Sequence, residues 1–189
     1  MTVSSGSSRA VLALGSNLAV RARWLDLGLE VLGEAGVEVL ATTPRWNTAP
    51  IGTVPQPDFL NQVILVRGPR RGLGWLELAQ AAEARAGRRH LVAKGPRNLD
   101  VDVILIEGER WDSPDLTVPH PGLLHRPYLL RGSRLLVPDW IHPAEGLSIA
   151  ELAQQHLTSS WRGLNRTGKR RARAGVGRPA PGSPSGWWR

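Results

Sequence analysis

The pattern of apolar and polar positions along the chain predicts four β-strands. They cover residues 10–14, 37–46, 59–67 and 100–106. Because successive side chains of a strand point to opposite faces, the third strand should place on one face Phe59, Asn61, Val63 and Leu65. The fourth strand ends in an aliphatic run bounded by turn residues, which is typical of a buried strand.

Two segments between these strands have the apolar spacing of helices. The second covers residues 75–86, and the first follows Asn17, which we expect to cap it. The apolar stripe of the first segment consists of Val20, Trp24, Leu27, Val31 and Leu32. The order strand-helix-strand-strand-helix-strand predicts an α+β fold of the ferredoxin-like, split βαβ type. We therefore expect an antiparallel sheet with its helices packed on one face, followed by a C-terminal extension.

Composition changes this picture mainly at the two ends of the chain. The 189 residues include no cysteine, which excludes disulfides and thiolate metal sites. The net charge is +8, and the last acidic residue is Glu151, after which eight arginines and lysines follow. The excess charge therefore belongs to the tail, and residues 1–161 are formally neutral. We expect residues 1–9 to be disordered, residues 10–157 to form one domain, and residues 158–189 to be a disordered basic tail. No signal peptide or membrane span is apparent, so we expect a cytoplasmic protein.

Two carboxylates stand at the start of the fourth strand. Strict alternation assigns its side chains to two faces: Asp100, Asp102, Ile104 and Ile106 on one, and Val101, Val103 and Leu105 on the other. The two aspartates then lie roughly 6.5–7 Å apart at their Cα atoms, within reach of one or two hard cations. Arg97 adds a guanidinium that matches phosphate geometry. The pattern indicates a site for magnesium and a polyphosphate, although an arbitrary D-x-D is more often a solvated strand end.

The residues around these aspartates resemble a known signature. Residues 95–106 read GPRNLDVDVILI and are similar to the G-P-R-x-L-D-x-D-I-x-L segment of the 6-hydroxymethyl-7,8-dihydropterin pyrophosphokinase family, enzymes of folate synthesis. Five further segments match that family in order: ALGSNL at 13–18, TAPIG at 48–52, FLN at 59–61, EARAGR at 83–88, and PHP at 119–121 with Arg126 and Tyr128. Each fragment alone is weak, and their register together makes chance resemblance improbable.

The resemblance implies a reaction and a set of site residues. Pyrophosphate would pass from ATP to the hydroxymethyl oxygen of the pterin, releasing AMP, with two Mg²⁺ ions held by Asp100 and Asp102. The implied catalytic residues are Arg88, Arg97, Asp100 and Asp102. The implied pterin site consists of Thr48, Ile51, Phe59, Asn61 and Tyr128. The implied ATP site consists of Leu76, Gln80, Glu83, Arg97, Val103, Thr117, His120 and Arg126. The expected partners are these small molecules, with no specific nucleic acid and no membrane, and the expected state is a monomer.

Two other functions stay open at this point. An RNA-binding module uses the same order of elements, but no strand carries its aromatic signature and the excess charge is confined to the tail. A binding protein that lost turnover is the second alternative, because the chain departs from the family pattern. His90 and Lys94 replace a common arginine and an aromatic residue, their loop is about one residue short, and Gly132-Ser133 replaces the usual Pro-Leu.

Overall fold

The described part of the chain contains seven strands and four helices. The computed structural model describes residues 7–51, 54–87 and 95–156. Its strands are β1 (Ser8–Ser16), β2 (Glu38–Thr42), β3 (Trp46–Thr48), β4 (Phe59–Gly68), β5 (Asp100–Ile106), β6 (Trp111–Asp112) and β7 (Thr117–Val118). Its helices are α1 (Arg21–Glu34), α2 (Leu73–Arg85), α3 (Pro127–Leu136) and α4 (Ile149–His156). None of the helices in these ranges is long and apolar enough to cross a bilayer.

The principal sheet has the strand order β2-β4-β1-β5, and each neighbouring pair is antiparallel. The predicted combination of an antiparallel sheet with helices is confirmed. The single strand predicted over 37–46 is instead two strands, β2 and β3, which both pair with β4. They separate at Thr43 and Pro44, because proline has no N–H to donate to a sheet. The Thr43 hydroxyl accepts a hydrogen bond from the Val63 amide at 3.0 Å and so continues the pairing at this break.

The first face of the sheet is covered by α1 and α2. Trp75 of α2 is fully buried there, and its indole N–H donates a hydrogen bond to the Ser8 hydroxyl at 3.0 Å. Alternate residues of the central strand, Leu12 and Leu14, pack in this layer together with Leu25 of α1. The stripe predicted for the first helix is confirmed in part: Val31 and Leu32 are buried and Trp24 and Leu27 pack against the core, but Val20 is 67% exposed and precedes the helix. β1 begins at Ser8, two residues before the predicted strand.

The second face of the sheet is covered by α3 and α4, so the prediction of helices on one face describes only α1 and α2. The strands are apolar on both sides, and Val63 and Leu65 of β4 pack in this second layer. The departure at Gly132-Ser133 has a packing role here. A Cβ atom added at Gly132 would lie 2.5 Å from Val63 Cγ2, so the missing side chain lets α3 approach β4 closely. Ser133 is fully buried beside it.

A β-bulge in β5 changes the predicted faces of its last residues. Residues 11 and 12 of β1 pair with Leu105 and Val103, which leaves Ile104 as the extra residue. Leu105 therefore packs with Ile104 in the α3–α4 layer, and Ile106 packs in the α1–α2 layer. The predicted faces of Leu105 and Ile106 are wrong, because strict alternation fails at a bulge.

The aspartates precede the bulge and keep the face predicted for them. They alternate with Val101 and Val103, which lie in the α1–α2 layer. Asp100 and Asp102 therefore point to the side of the sheet that carries α3.

Enlarging Gly132 should destabilise the protein. We expect Gly132→Ala to lower the free energy of unfolding by about 1–3 kcal/mol, because the added methyl group would overpack the contact with Val63. The matched control is Gly33→Ala in α1, where an added Cβ meets nothing within 4 Å among the described residues. Urea unfolding of both variants measures the difference, and a Gly132→Ala protein as stable as the control would contradict this packing.

Candidate active site

One pocket lies on the α3 side of the sheet, beside the first residue of β5. Its walls come from β3, β4, β5, the start of α3 and the loop that leads into β4. The residues that line it are Thr48, Ala49, Pro50, Ile51, Gln56, Phe59, Asn61, Arg97, Asp100, Arg126 and Tyr128. All five predicted pterin residues are among them, together with Arg97, Asp100 and Arg126.

The sheet register aligns the two ends of this pocket. Gly15 of β1 pairs with Asn61 of β4 on one side and with Asp100 of β5 on the other. Asn61 is 4% exposed, and its amide donates a hydrogen bond to the Thr48 hydroxyl at 2.7 Å. The bond to Thr48 holds the buried Asn61 amide in one orientation. An amide held in this way can form directional hydrogen bonds with the polar edge of a flat ring.

Two arginine–aspartate pairs lie at the charged end of the pocket, which Arg97, Asp100 and Arg126 line. The Arg97 guanidinium lies 3.0 Å from an Asp100 carboxylate oxygen, and the Arg126 guanidinium lies 3.5 Å from an Asp102 carboxylate oxygen. Arg97 also stacks over the Phe59 ring, 5.3 Å from its centroid. Arg97 therefore lies between the Phe59 ring and the charged end of the pocket.

Asn17 holds two loops of the site together. It does not cap α1, whose first turn follows Val20 without a side-chain cap, so that prediction is wrong. Its carbonyl oxygen accepts a hydrogen bond from the Arg97 amide at 2.9 Å, and its amide donates to the Gln56 side chain at 2.9 Å. Asn17 thus fixes both the segment that leads into β5, at Arg97, and the loop before β4, at Gln56.

Glu83 supports the strand that carries the aspartates. It is buried on α2, and its carboxylate accepts a hydrogen bond from the Val101 amide at 2.9 Å. Val101 lies between Asp100 and Asp102, on the outer edge of the sheet. The bond therefore holds both aspartates in place from the α2 side, a role that the sequence did not indicate.

His120 reaches the site from the segment after β7. Its backbone amide donates to the bulge residue Ile104 at 2.9 Å, and its Nδ1 accepts a hydrogen bond from the Gly122 amide at 2.9 Å. Burial lowers its pKa from 6.5 to about 4, the positive charge of Arg126 adds to the shift, and Asp100 opposes it. A neutral imidazole that accepts at Nδ1 carries its proton at Nε2, so His120 presents a neutral N–H donor at physiological pH.

The Tyr128 phenol remains protonated throughout the physiological range. Burial raises its pKa to about 12, the charges of Asp102 and Asp100 add to the shift, and Arg126 opposes it. Its ring lies in the pocket wall on α3 and Phe59 lies on β4, so the two aromatic side chains belong to different layers of the fold.

Known proteins similar to this chain identify its family. A family model described as 7,8-dihydro-6-hydroxymethylpterin-pyrophosphokinase matches residues 11–137. The chain belongs to this family. The resemblance read from the sequence is thereby confirmed.

Named relatives of this chain include proteins of very different length. It is 32% identical over 154 residues to the 2-amino-4-hydroxy-6-hydroxymethyldihydropteridine pyrophosphokinase of Synechocystis, covering 80% of this chain and 78% of that protein. It is 35% identical over 135 residues to the folic acid synthesis protein fol1 of Schizosaccharomyces pombe, covering 71% of this chain but only 18% of that protein. The similarity therefore concerns one part of the yeast protein.

Solved structures support the fold of this chain. A crystal structure of wild-type HPPK-DHPS from Plasmodium falciparum superposes with a TM-score of 0.60 at 14% identity, covering 81% of this chain and 42% of that one. At this identity the likeness concerns the arrangement of the sheet and helices. As with the yeast protein, the chain spans less than half of the molecule that it matches.

The two aspartates have the chemistry that a magnesium ion requires. Magnesium in proteins keeps several water molecules and binds through one or two carboxylates together with phosphate oxygens of a substrate. In the described ranges no group of three or more histidine, cysteine or acidic residues forms a closed cage for a metal. The pair Asp100 and Asp102, on one face of β5 with arginines beside it, fits a magnesium–phosphate complex better than a site made of protein ligands alone.

The remaining predicted ATP residues lie on β5, β7 and α2. Val103 is 4% exposed in the α1–α2 layer, and Thr117 is exposed on β7. Leu76 and Gln80 lie on α2, where Leu76 packs partly against the core and Gln80 is exposed. Their contacts with ATP stay predictions. Arg88, His90 and Lys94 lie outside the described residues.

Three residues of the pocket were not predicted to belong to the site. Ala49 and Pro50 lie inside the matched TAPIG segment, which could have indicated them. Gln56 lies outside every matched segment, and its bond to Asn17 depends on two residues 39 positions apart.

The burial of His120 predicts a pH dependence of stability. Its folded-state pKa lies below 6.5, so the unfolded chain binds more protons at low pH. The stability contributed by neutral His120 is therefore complete above pH 6.5 and is lost as the pH falls toward 4. We expect the magnesium-free protein to lose unfolding free energy across this window, and His120→Gln to lose less.

Urea unfolding at several pH values between 4 and 7 tests this expectation. The pKa of His142 is also lowered by burial, so only the difference between wild type and His120→Gln isolates His120. Exposed His125, replaced by glutamine, is the matched control. Parallel stability curves for wild type and His120→Gln would contradict a buried, neutral His120.

Proposed function

We propose that this chain transfers pyrophosphate from ATP to the hydroxymethyl oxygen of 6-hydroxymethyl-7,8-dihydropterin, releasing AMP, as a step of folate synthesis. The observation that carries this proposal is one pocket with two unlike ends. An aromatic and amide end, with Phe59, Asn61 and Tyr128, adjoins a charged end with Arg97 and Asp100. Membership of the pyrophosphokinase family supports the same reaction.

The aromatic end suits a flat heterocycle with an amide-like edge. Such a ring needs apolar faces and in-plane hydrogen-bonding groups. Phe59 and Tyr128 would contact the two ring faces, and Asn61, held by Thr48, would meet the ring edge. Arg97 stacks on Phe59, so ring stacking would require it to share or leave that face.

The charged end suits the phosphates of ATP. Asp100 and Asp102 would hold magnesium, which when bound would offset the charge of the triphosphate. Arg97 and Arg126 would turn toward phosphate oxygens, for which a guanidinium has matching geometry. His120 would donate its Nε2–H to another phosphate oxygen. We place the nucleoside against the predicted residues of α2 and β7, Leu76, Gln80 and Thr117.

The reaction forms one oxygen–phosphorus bond and breaks another. The hydroxymethyl oxygen attacks the β-phosphorus, its proton is released, and the bond from that phosphorus to the oxygen of the α-phosphate breaks, so AMP leaves. The residues act by positioning the reactants: the aromatic end orients the hydroxymethyl group, and the arginines align the triphosphate and stabilise the charge that develops on it.

Several finer predictions belong to this proposal. The strand order β2-β4-β1-β5 with antiparallel neighbours is the order that a ferredoxin-like fold requires, and it supports that assignment. We also propose two magnesium ions, a monomer, a cytoplasmic location, and a domain over residues 10–157. Of the segment predicted to be disordered over residues 1–9, Ser8 and Arg9 belong to β1, whereas residues 1–6 and the predicted tail over 158–189 lie outside the described residues.

AMP formation tests the proposed function directly. Purified protein with ATP and magnesium should release AMP only when 6-hydroxymethyl-7,8-dihydropterin is added, with one pterin diphosphate formed for each AMP. Binding of both ligands without AMP would instead indicate a homologue without turnover. Binding of single-stranded RNA without binding of the pterin would indicate an RNA-binding module.

Neutralising either aspartate should reduce turnover strongly. We expect Asp100→Asn and Asp102→Asn each to lower turnover by ~10²–10³, as is typical when a preorganised charge-stabilising group is removed. The matched control is Asp112→Asn on exposed β6, which should keep wild-type turnover. Turnover is measured against magnesium concentration, with thermal unfolding as a check on the fold. Wild-type turnover of both variants at ordinary magnesium concentrations would rule out the magnesium site.

A further inference from the structure

Gly15 lies between two residues that line the pocket, Asn61 and Asp100, and we call its position the pocket floor. It lies on the central strand, paired with Asn61 on one side and Asp100 on the other. Residues directly opposite in neighbouring strands project on the same face. A side chain at position 15 would therefore stand between the amide of Asn61 and the carboxylate of Asp100.

The space beside Gly15 is already occupied by the Asn61 amide. A Cβ atom added at Gly15 would lie 2.6 Å from Asn61 Oδ1 and 3.7 Å from Phe59 Cδ1. The first distance is too short for two heavy atoms that are not bonded. Asn61 could relieve it only by turning its amide away, and the amide is held by the bond to Thr48.

The backbone conformation does not explain why a glycine stands here. Gly15 lies within β1 and has no positive φ angle, so other residues could adopt its conformation. A glycine in the middle of a strand costs about 0.5–1 kcal/mol relative to alanine. Such glycines mark places where a ligand or another group approaches the backbone closely. At Gly15 the group that approaches the backbone closely is the Asn61 side chain.

We propose that Gly15 is a specificity-determining residue of this pocket. Its missing side chain lets the Asn61 amide lie against β1 and keeps the pocket floor open from the aromatic end to Asp100. A flat heterocycle can then rest its edge on Asn61 while its substituent reaches the charged end. This inference rests on the proposed function and adds a determinant of which substrate the pocket accepts.

The test compares binding of the two substrates by Gly15→Ala. Isothermal titration is carried out with 6-hydroxymethyl-7,8-dihydropterin and, separately, with a non-hydrolysable ATP analogue and magnesium. We expect pterin affinity to fall by about tenfold or more, because the methyl group overpacks the floor, with analogue affinity within about threefold of wild type. Gly33→Ala, which adds a methyl group where nothing described lies within 4 Å, should leave both affinities unchanged.

A double-mutant cycle shows whether Gly15 acts through Asn61. Asn61→Ala removes the amide that the methyl group would displace, so Gly15→Ala should cost little further pterin affinity in that background. Additive losses would overturn the proposal. If Gly15→Ala alone does not fold, Gly15→Ala/Asn61→Ala should fold, because the clash is gone, and failure of this pair to fold would also overturn it.

The two proposals fail in distinguishable ways. If wild type does not bind the pterin, the proposed function fails and this inference falls with it. If wild type binds the pterin and Asn61→Ala weakens that binding, but Gly15→Ala binds as well as wild type, only the role of Gly15 is refuted.

Discussion

The position of β1 between β4 and β5 is the constraint on which the site depends. Neighbouring strands lie about 4.8 Å apart, so residues in register on β4 and β5 are held roughly 9.5–10 Å apart across the central strand. Asn61 and Asp100 are such a pair, with Gly15 between them. The distance between the amide that meets a ring and the carboxylate that meets a cation is thus set by backbone hydrogen bonds. Side-chain packing on both faces then stabilises this register.

The supports of the site come from outside the sheet. Glu83 on α2 fixes the edge strand between its two aspartates, and Asn17 fixes Arg97 and the loop before β4. The bulge residue Ile104 accepts the bond that holds the His120 backbone. The bonds of Glu83 and His120 use backbone groups of β5 that do not pair with β1. The bonds of Asn17 hold loops that lie outside the sheet. Functional side chains are therefore positioned by buried and half-buried hydrogen bonds, which are directional.

The sequence predicted the parts of this structure that depend on local pattern or on matched segments. Alternation correctly placed Phe59, Asn61, Val63 and Leu65 on one face of β4, and the matched segments indicated most residues of the pocket. The role of Asn17 could not be predicted, because its partner Arg97 is 80 positions away and a helix-cap role was the local alternative. The bulge at Ile104 was missed for a related reason: the aliphatic run 103–106 has no polar residue to show where alternation changes. The second helical layer was underestimated, because α3 and α4 are short and their partners lie in strands far along the chain.

The width of the aromatic end follows from a contact outside it. Gly132 and Tyr128 are four residues apart on α3, and therefore share one face of the helix. Val63 and Asn61 are two residues apart on β4, and therefore share one face of the strand. The close approach of Gly132 to Val63 and the pocket between Tyr128 and Asn61 are therefore neighbouring parts of one interface between α3 and β4. The gap available to a flat ring is accordingly a spacing between helix and sheet, and the missing side chain of Gly132 sets it.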